Sequence, residues 1–160
     1  MPLELQLIRA NEFIRLSAAG RFDLETSVLA LAKIARACRK RGVERAMLDL
    51  RAVQPGPKPV FSPQDLAALV ETFHQFGFTR NSRLALLYTS DPHGRARMFS
   101  FLSILRGWQV RGFGSFEAAM RWLSQDQIEE SGPTAEEQPV PIRQPRRREA
   151  ISAKTEKDLR

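Results

Sequence analysis

The residues best suited to chemistry by type and position are Asp91, His93 and Arg95. They follow an apolar run that is typical of a buried strand, and Asp91-Pro92 indicates the start of the next helix. Ligands of open α/β sheets bind beyond the carboxyl ends of the strands, and a histidine at a helix N-terminus can donate to an anion. Asp91, His93 and Arg95 are therefore a candidate ligand or anion site, while the simpler expectation for His93 itself is a solvent-facing loop position.

A second candidate surface is basic. Lys33, Arg36 and Lys40 share one face of a predicted helix through their three- and four-residue spacing, in a chain with 25 Lys and Arg, 18 Asp and Glu and a net charge of +7. Such a patch suits an acidic protein, an anionic membrane or nucleic acid. The alternative is a solvated face whose cations complement the helix dipole.

Nucleic acid is not the expected partner of this basic chain. The sequence shows neither interleaved RNA-binding aromatic residues nor a helix-turn-helix pair. Weak, nonspecific contact with nucleic acid or another anion through the basic face and the arginines at 146–148 stays an alternative.

Catalytic and metal chemistry is largely missing from the sequence. One cysteine and two histidines cannot supply a typical structural zinc site, and there is no glycine-rich phosphate loop or G-x-S-x-G elbow. Cys38 lies on an apolar helical stripe, which indicates a small buried hydrophobe, and His74 stands among phenylalanines, which indicates a partly buried side chain. We expect a protein that is not an enzyme and has no cofactor or metal; an enzyme that uses His93 with Asp91 is the alternative.

The order of predicted elements is β-β-α-β-α-β-α-β-α. Residues 3–7 alternate apolar and polar, and the apolar run at 13–18 completes an antiparallel hairpin. Helices are predicted from Leu24 to Gly42, from Ser62 to near Gly77, from Asp91-Pro92 to Gly107, and over 116–123, with strands between them at 46–50, 83–88 and 109–113. Strict alternation after the hairpin predicts an α/β fold: a five-stranded, mostly parallel mixed sheet with helices packed on it.

The composition changes after Leu123. Residues 125–160 contain four prolines and only eight apolar side chains, too few to offset the conformational entropy of a fixed structure. We predict a folded domain at 1–124 and a disordered, charge-rich tail at 125–160. With no apolar run long enough to span a bilayer and no signal-peptide pattern, we expect a cytoplasmic protein without a transmembrane segment.

Four strings carry a resemblance to a known family. They are Gly20-Arg21-Phe22-Asp23, Ala46-Met47-Leu48-Asp49-Leu50-Arg51-Ala52-Val53, Leu84 to Pro92, and Gly107-Trp108-Gln109-Val110 together with residues 116–123. In this order they resemble the STAS-like domains of bacterial anti-sigma-factor antagonists, and most closely the diverged branch that is also likened to CRAL-TRIO lipid carriers. The resemblance covers the domain at 1–124 and implies a STAS-like fold and a regulatory role in bacterial signalling.

The resemblance also assigns a candidate phosphorylation site. Antagonists that are switched by phosphorylation have an acidic-serine-glycine motif at the start of the second helix, where this chain has Phe61-Ser62-Pro63-Gln64-Asp65 after a proline-rich insertion. Ser62 is the hydroxyl that could act as the phospho-acceptor, since a phosphate there would be stabilised by the helix N-terminus. A simple helix N-cap is the alternative.

Two function classes follow from these patterns. The first is a non-catalytic, STAS-like regulatory or protein-interaction module, whose unidentified protein partner would bind the second helix and the 52–61 loop. The second is a carrier of a lipid or other apolar small molecule, prompted by the phenylalanines of the second and third helices at 73, 76, 78, 99 and 101. Phe99 and Phe101 with Leu102, Ile104 and Leu105 cover more than one face of the third helix. Core packing is another interpretation of these side chains. They could also form a dimer contact, so both monomer and homodimer stay open.

Overall fold

A computed structural model of the chain describes residues 3–8 and 12–130. Within these ranges five strands form one mixed sheet in the order β1-β2-β3-β4-β5, with β1 antiparallel to β2 and every other neighbouring pair parallel. The elements are β1 (Leu3–Ile8), β2 (Phe13–Gly20), α1 (Leu24–Arg41), β3 (Arg45–Val53), α2 (Pro63–Phe76), β4 (Arg83–Leu87), α3 (Arg95–Leu105), β5 (Gln109–Phe113) and α4 (Phe116–Glu130). The predicted α/β fold class and the predicted order of elements, β-β-α-β-α-β-α-β-α, are confirmed.

The helices cover both faces of the sheet. Right-handed crossovers between parallel strands taken in sequence place the connecting helices on one face, and α1, α2 and α3 share a single large core with that face. The last helix, α4, packs on the opposite face through Ala119 and Leu123. Because both faces are covered, β3 alternates between two cores, with Leu48 in the larger and Met47 in the smaller. This explains its continuous apolar sequence.

Local capping determines where the helices begin and end. The Asp23 carboxylate accepts a hydrogen bond from the Thr26 backbone N–H at 2.9 Å and begins α1. Gly42 and Gly77 end α1 and α2 in the left-handed conformation, with φ of 65° and 87°, which glycine adopts without steric cost. These caps confirm the predicted bounds of the first two helices.

Three elements differ most in their bounds from the prediction. The third helix begins at Arg95 rather than at Asp91-Pro92, because residues 92–94 form a turn. Strand β3 extends to Val53, where it pairs with Gly20 of β2 beyond a register shift. The last helix continues past Leu123 to Glu130. Most of the predicted tail, residues 131–160, lies outside the described residues.

In the part of the chain that the structure describes, no helix has both the length and the apolar character required to cross a lipid bilayer.

Candidate ligand-binding site

A cavity of about 760 Å³ opens at the carboxyl end of β3 and β4. It lies between the sheet, the first turns of α1, α2 and α3, and the loop formed by residues 54–61. This volume falls within the range of about 300–1,000 Å³ that is typical of small-molecule sites. The carboxyl edge of the parallel strands is also where α/β folds bind their ligands.

The inner walls of the cavity are apolar. Leu48 and Leu86 contribute from the sheet and are only 4% and 2% exposed. The helices and loops add further apolar side chains, namely Phe22, Leu31, Leu50, Val53, Phe61, Leu66, Leu69, Tyr88 and Phe99. A guest in this space would therefore contact mainly hydrocarbon and aromatic surface, which favours an apolar molecule over a sugar or a nucleotide.

The 54–61 loop forms the outer wall. Its prolines at 55, 57 and 59 restrict the backbone of a segment that would otherwise be mobile. The Gly56 carbonyl accepts a hydrogen bond from His93 Nε2 at 3.0 Å. Phe61, at the end of the loop, packs near Phe22 with ring centroids 6.5 Å apart. The loop is thus attached to the rest of the molecule at two points.

His93 lies at the cavity rather than on a free loop. Its side chain is half-buried, lines the cavity and bonds to Gly56. The expected solvent-facing loop position of His93 is wrong, because the loop at 54–61 folds back over the turn at 92–94 and bonds to His93. The other histidine, His74, is exposed on α2, so the expectation that it is partly buried is also wrong.

Asp91 lines the same cavity, but its carboxylate has partners within the turn. It accepts hydrogen bonds from the backbone N–H groups of Ala96 at 3.2 Å and Arg97 at 3.1 Å, and the Arg97 Nε lies 3.5 Å away. These contacts satisfy the amides at the start of α3, where Gly94 supplies no side-chain cap. Asp91 and His93 therefore have separate structural partners.

Arg95 is the third predicted site residue, and its charge has no ionic partner within residues 3–8 and 12–130. Its side chain is half-buried and lines the cavity. Its Nε is buried without a hydrogen-bond partner, and its Nη1 makes only a weak contact with Met98 Sδ at 3.6 Å. No carboxylate in the ranges 3–8 and 12–130 forms an ion pair with it. The structure thus brings Asp91, His93 and Arg95 together at one cavity.

The remaining predicted residues lie elsewhere. Lys33, Arg36 and Lys40 are exposed on α1 and do not line the cavity. Ser62 is the N-cap of α2, where its Oγ accepts from the Asp65 N–H at 3.1 Å and its own N–H donates to Asp65 Oδ2 at 2.8 Å. The hydrogen bond from the Ser62 N–H lowers the pKa of the Asp65 carboxyl.

Several cavity residues were not identified from the sequence. The sequence pattern places Tyr88 only at the end of a strand and indicates a connection and partner surface for the 54–61 loop, whereas both line the cavity. A long proline-rich segment directly after a buried parallel strand was the available signal, because such loops stand at the ligand-binding edge of the sheet.

A second polar cluster lies on the opposite face of the sheet. Asp49 is almost fully buried and accepts hydrogen bonds from Arg15 at 2.6 Å and Arg51 at 2.8 Å. Burial alone would raise the pKa of Asp49, but the hydrogen bonds from Arg51 and Arg15 outweigh it and lower that pKa to about 2. A carboxylate saturated in this way holds the fold together and is a poor general base.

Neither thiol nor metal chemistry is suggested by the described residues. Burial raises the pKa of the Cys38 thiol to about 11, so this side chain stays protonated and a poor nucleophile at neutral pH. Across residues 3–8 and 12–130, no three side chains of His, Cys, Asp or Glu are grouped in a way that would hold a metal ion.

Comparison with known proteins gives a likeness of fold. No family model matches the chain, and no curated protein matches it. Among solved structures, the anti-sigma factor antagonist SpoIIAA in its unphosphorylated form shares 15% identity with a TM-score of 0.45, over 80% of this chain and 98% of its own. An uncharacterized DUF3478-family protein with a SpoIIAA-like fold, from Shewanella loihica PV-4, shares 13% identity with a TM-score of 0.48, over 76% of this chain and 92% of its own.

Proposed function

We propose that this protein is a non-catalytic, STAS-like regulatory module that binds an apolar small molecule in the cavity between the sheet, α1–α3 and the 54–61 loop. The observation that carries the proposal is the cavity itself, about 760 Å³ with deep walls of leucine and phenylalanine. The cavity is open to solvent, and its apolar walls are the kind of surface that an apolar guest would remove from water.

A binding role fits the polar groups at the cavity better than a catalytic one. Asp91 is occupied by the amides of α3, and His93 is occupied by the carbonyl of Gly56. A general acid or base has to be within reach of a substrate proton, and here both groups are engaged in holding loops together.

The same loop offers a way to report occupancy to a protein partner. Residues 57–60 are exposed on their outer side, while the loop also lines the cavity. A guest that fills the cavity would fix this loop, and its outer surface together with α2 would then present one shape to a partner. The regulatory and ligand-binding hypotheses therefore combine into one function, which we place in the bacterial cytoplasm.

Binding of the uncharged fluorescent probe N-phenyl-1-naphthylamine tests the proposal. We expect a saturable rise in its fluorescence with the full-length protein. Ala96 lines the cavity, so Ala96→Phe should fill part of the space and abolish the signal. Ala68 is exposed on α2 and does not line the cavity, so the matched variant Ala68→Phe should bind the probe like the wild type.

Two results would contradict the proposal. One is a probe signal that does not saturate, and the other is an equal signal from both phenylalanine variants when circular dichroism shows both to be folded. Native mass spectrometry of protein purified from cells adds an independent reading, because a retained guest would appear as a defined increase in mass.

A further inference from the structure

We infer that the guest is an amphipathic carboxylate, an acyl chain or similar apolar body with one anionic group, and that Arg95 binds the carboxylate. This inference rests on the proposed function and specifies the chemical class of the ligand. It starts from the guanidinium of Arg95, which lines the cavity without an ionic partner among the described residues.

The state of Arg95 calls for an anion. Arginine cannot lose its proton in a protein, and a half-buried charge without a partner is unfavourable. The buried Nε of Arg95 has no acceptor, and its Nη1 contacts only the weak acceptor Met98 Sδ. A carboxylate can accept two parallel hydrogen bonds from a guanidinium, so a carboxylate ligand would supply the ionic partner that Arg95 lacks among the described residues.

The surrounding charges favour an anion in the same place. Arg21 and Lys58 also line the cavity, whereas Asp91 is the single acidic residue that does. The carboxylate of Asp91 is already bound to the Ala96 and Arg97 amides and lies beside the Arg97 guanidinium. Arg95 is moreover the first residue of α3, where the helix dipole favours negative charge.

Burial gives the orientation of the guest. Arg21 and Lys58 are exposed and Arg95 is half-buried, whereas Leu48, Leu86 and Leu31 lie in the core. The charged lining is thus at the outside and the apolar lining is inside. A guest with its carboxylate at Arg95 and its hydrocarbon directed toward the sheet matches both the charged outer lining and the apolar inner lining. A molecule charged at both ends would place one charge against the apolar lining.

The test compares dodecanoate with dodecanol, which have the same chain length and differ in the anionic group. Each is titrated against the full-length protein by displacement of N-phenyl-1-naphthylamine. We expect dodecanoate to bind wild-type protein about tenfold or more tightly than dodecanol, as a charge-assisted bidentate pair implies. Arg95→Gln should remove this preference for the acid over the alcohol, and Arg95→Lys should retain part of it.

Arg36→Gln is the matched control. It removes the same charge from an exposed position on α1 outside the cavity, so the preference for dodecanoate should persist. Equal binding of the acid and the alcohol by wild-type protein would overturn the inference and leave the proposed function standing. If Arg36→Gln also lost the preference for dodecanoate over dodecanol, that preference would come from the net charge of the protein, and the inference would be overturned. Failure of the probe and both ligands to bind would instead overturn the proposed function.

Discussion

The imidazole of His93 donates a hydrogen bond from Nε2 to the carbonyl oxygen of Gly56 at 3.0 Å. The two residues lie 37 positions apart, one in the turn before α3 and the other in the loop after β3. Both line the candidate cavity. This bond therefore connects two neighbouring walls of the binding site and holds the outer loop against the cavity.

Replacing His93 by alanine should loosen the 54–61 loop. A typical hydrogen bond contributes about 1 kcal/mol, so we expect faster hydrogen–deuterium exchange of the amides in this loop and faster release of a bound guest. His74→Ala is the control, since His74 is exposed on α2 and does not line the cavity. Unchanged exchange over 54–61 in His93→Ala would show that the prolines and Phe61 hold the loop without His93.

The fold could be predicted well because its signals are local. The Ser62-Pro63 start and the Gly77 end of α2 are short-range patterns of capping residues, and the structure has both. The position of α3 could not be predicted as well. Asp91 does cap the start of α3, but it does so by reaching over a turn to the amides of Ala96 and Arg97, which the dipeptide Asp91-Pro92 alone does not reveal.

The site could be predicted only in part. Asp91, His93 and Arg95 can be placed together from the sequence because they follow a parallel strand at the carboxyl edge of the sheet, where α/β folds bind ligands, and all three line the candidate cavity. The contact of His93 with Gly56 and the pairing of Asp49 with Arg15 join residues that are 37 and 34 positions apart. Such contacts depend on how loops and strands meet in three dimensions, and no periodicity in the sequence encodes them.

Gly112 of β5 is expected to be intolerant of a side chain because of Tyr88. A Cβ at position 112 would lie 2.8 Å from two atoms of the Tyr88 side chain, which lines the cavity. Gly112→Ala should displace this ring and destabilise the fold by about 1–3 kcal/mol, the usual cost of overpacking. It should also weaken probe binding. Urea unfolding reports the loss of stability, and the side-chain NMR signals of the single tyrosine in the chain report the displacement of its ring.

Gly114→Ala is the matched substitution. A Cβ at position 114 would meet nothing within 4 Å, so the free energy of unfolding should change by less than about 0.5 kcal/mol. Equal losses of stability in the two alanine variants would mean that backbone freedom, rather than contact with Tyr88, explains the glycine at position 112.

Asp49 should make stability depend on acid pH. Its pKa is about 2 in the folded protein against 3.8 without the fold. A carboxyl whose pKa is lowered on folding stabilises the protein fully above its unfolded pKa, and this contribution is lost as the pH falls through the folded value. Asp49→Asn should therefore cost about 2 kcal/mol at neutral pH, as measured by urea unfolding.

The same experiment repeated at low pH checks the sign. The free energies of unfolding of wild type and Asp49→Asn should approach each other as the pH falls from 3.8 to about 2. In this range the Asp49 carboxyl is already protonated in the unfolded chain. Asp23→Asn is a useful comparison, because the pKa of Asp23 is also lowered, chiefly by the Thr26 N–H, at the exposed start of α1. If the difference in free energy of unfolding between wild type and Asp49→Asn stays constant over this pH range, ionic stabilisation by Asp49 is excluded.

Ser62 is expected to act as a helix cap rather than as a switch. Ser62→Ala should lower the free energy of unfolding by about 1 kcal/mol, the usual cost of removing a serine N-cap. Ser62→Asp should keep the stability of the wild type, because aspartate accepts the same hydrogen bond from the Asp65 amide. Since its fold is retained, Ser62→Asp also mimics the charge of a phosphoserine without confounding loss of structure.

Comparison of partner capture separates the two roles of Ser62. If the serine is only a cap, wild-type and Ser62→Asp proteins immobilised at equal density retain the same proteins from lysate, and Ser62→Ala differs only in stability. A protein that binds the wild type and is lost with Ser62→Asp would instead support phosphorylation of this residue. The added negative charge would then act at the start of α2, directly after Phe61 of the cavity wall.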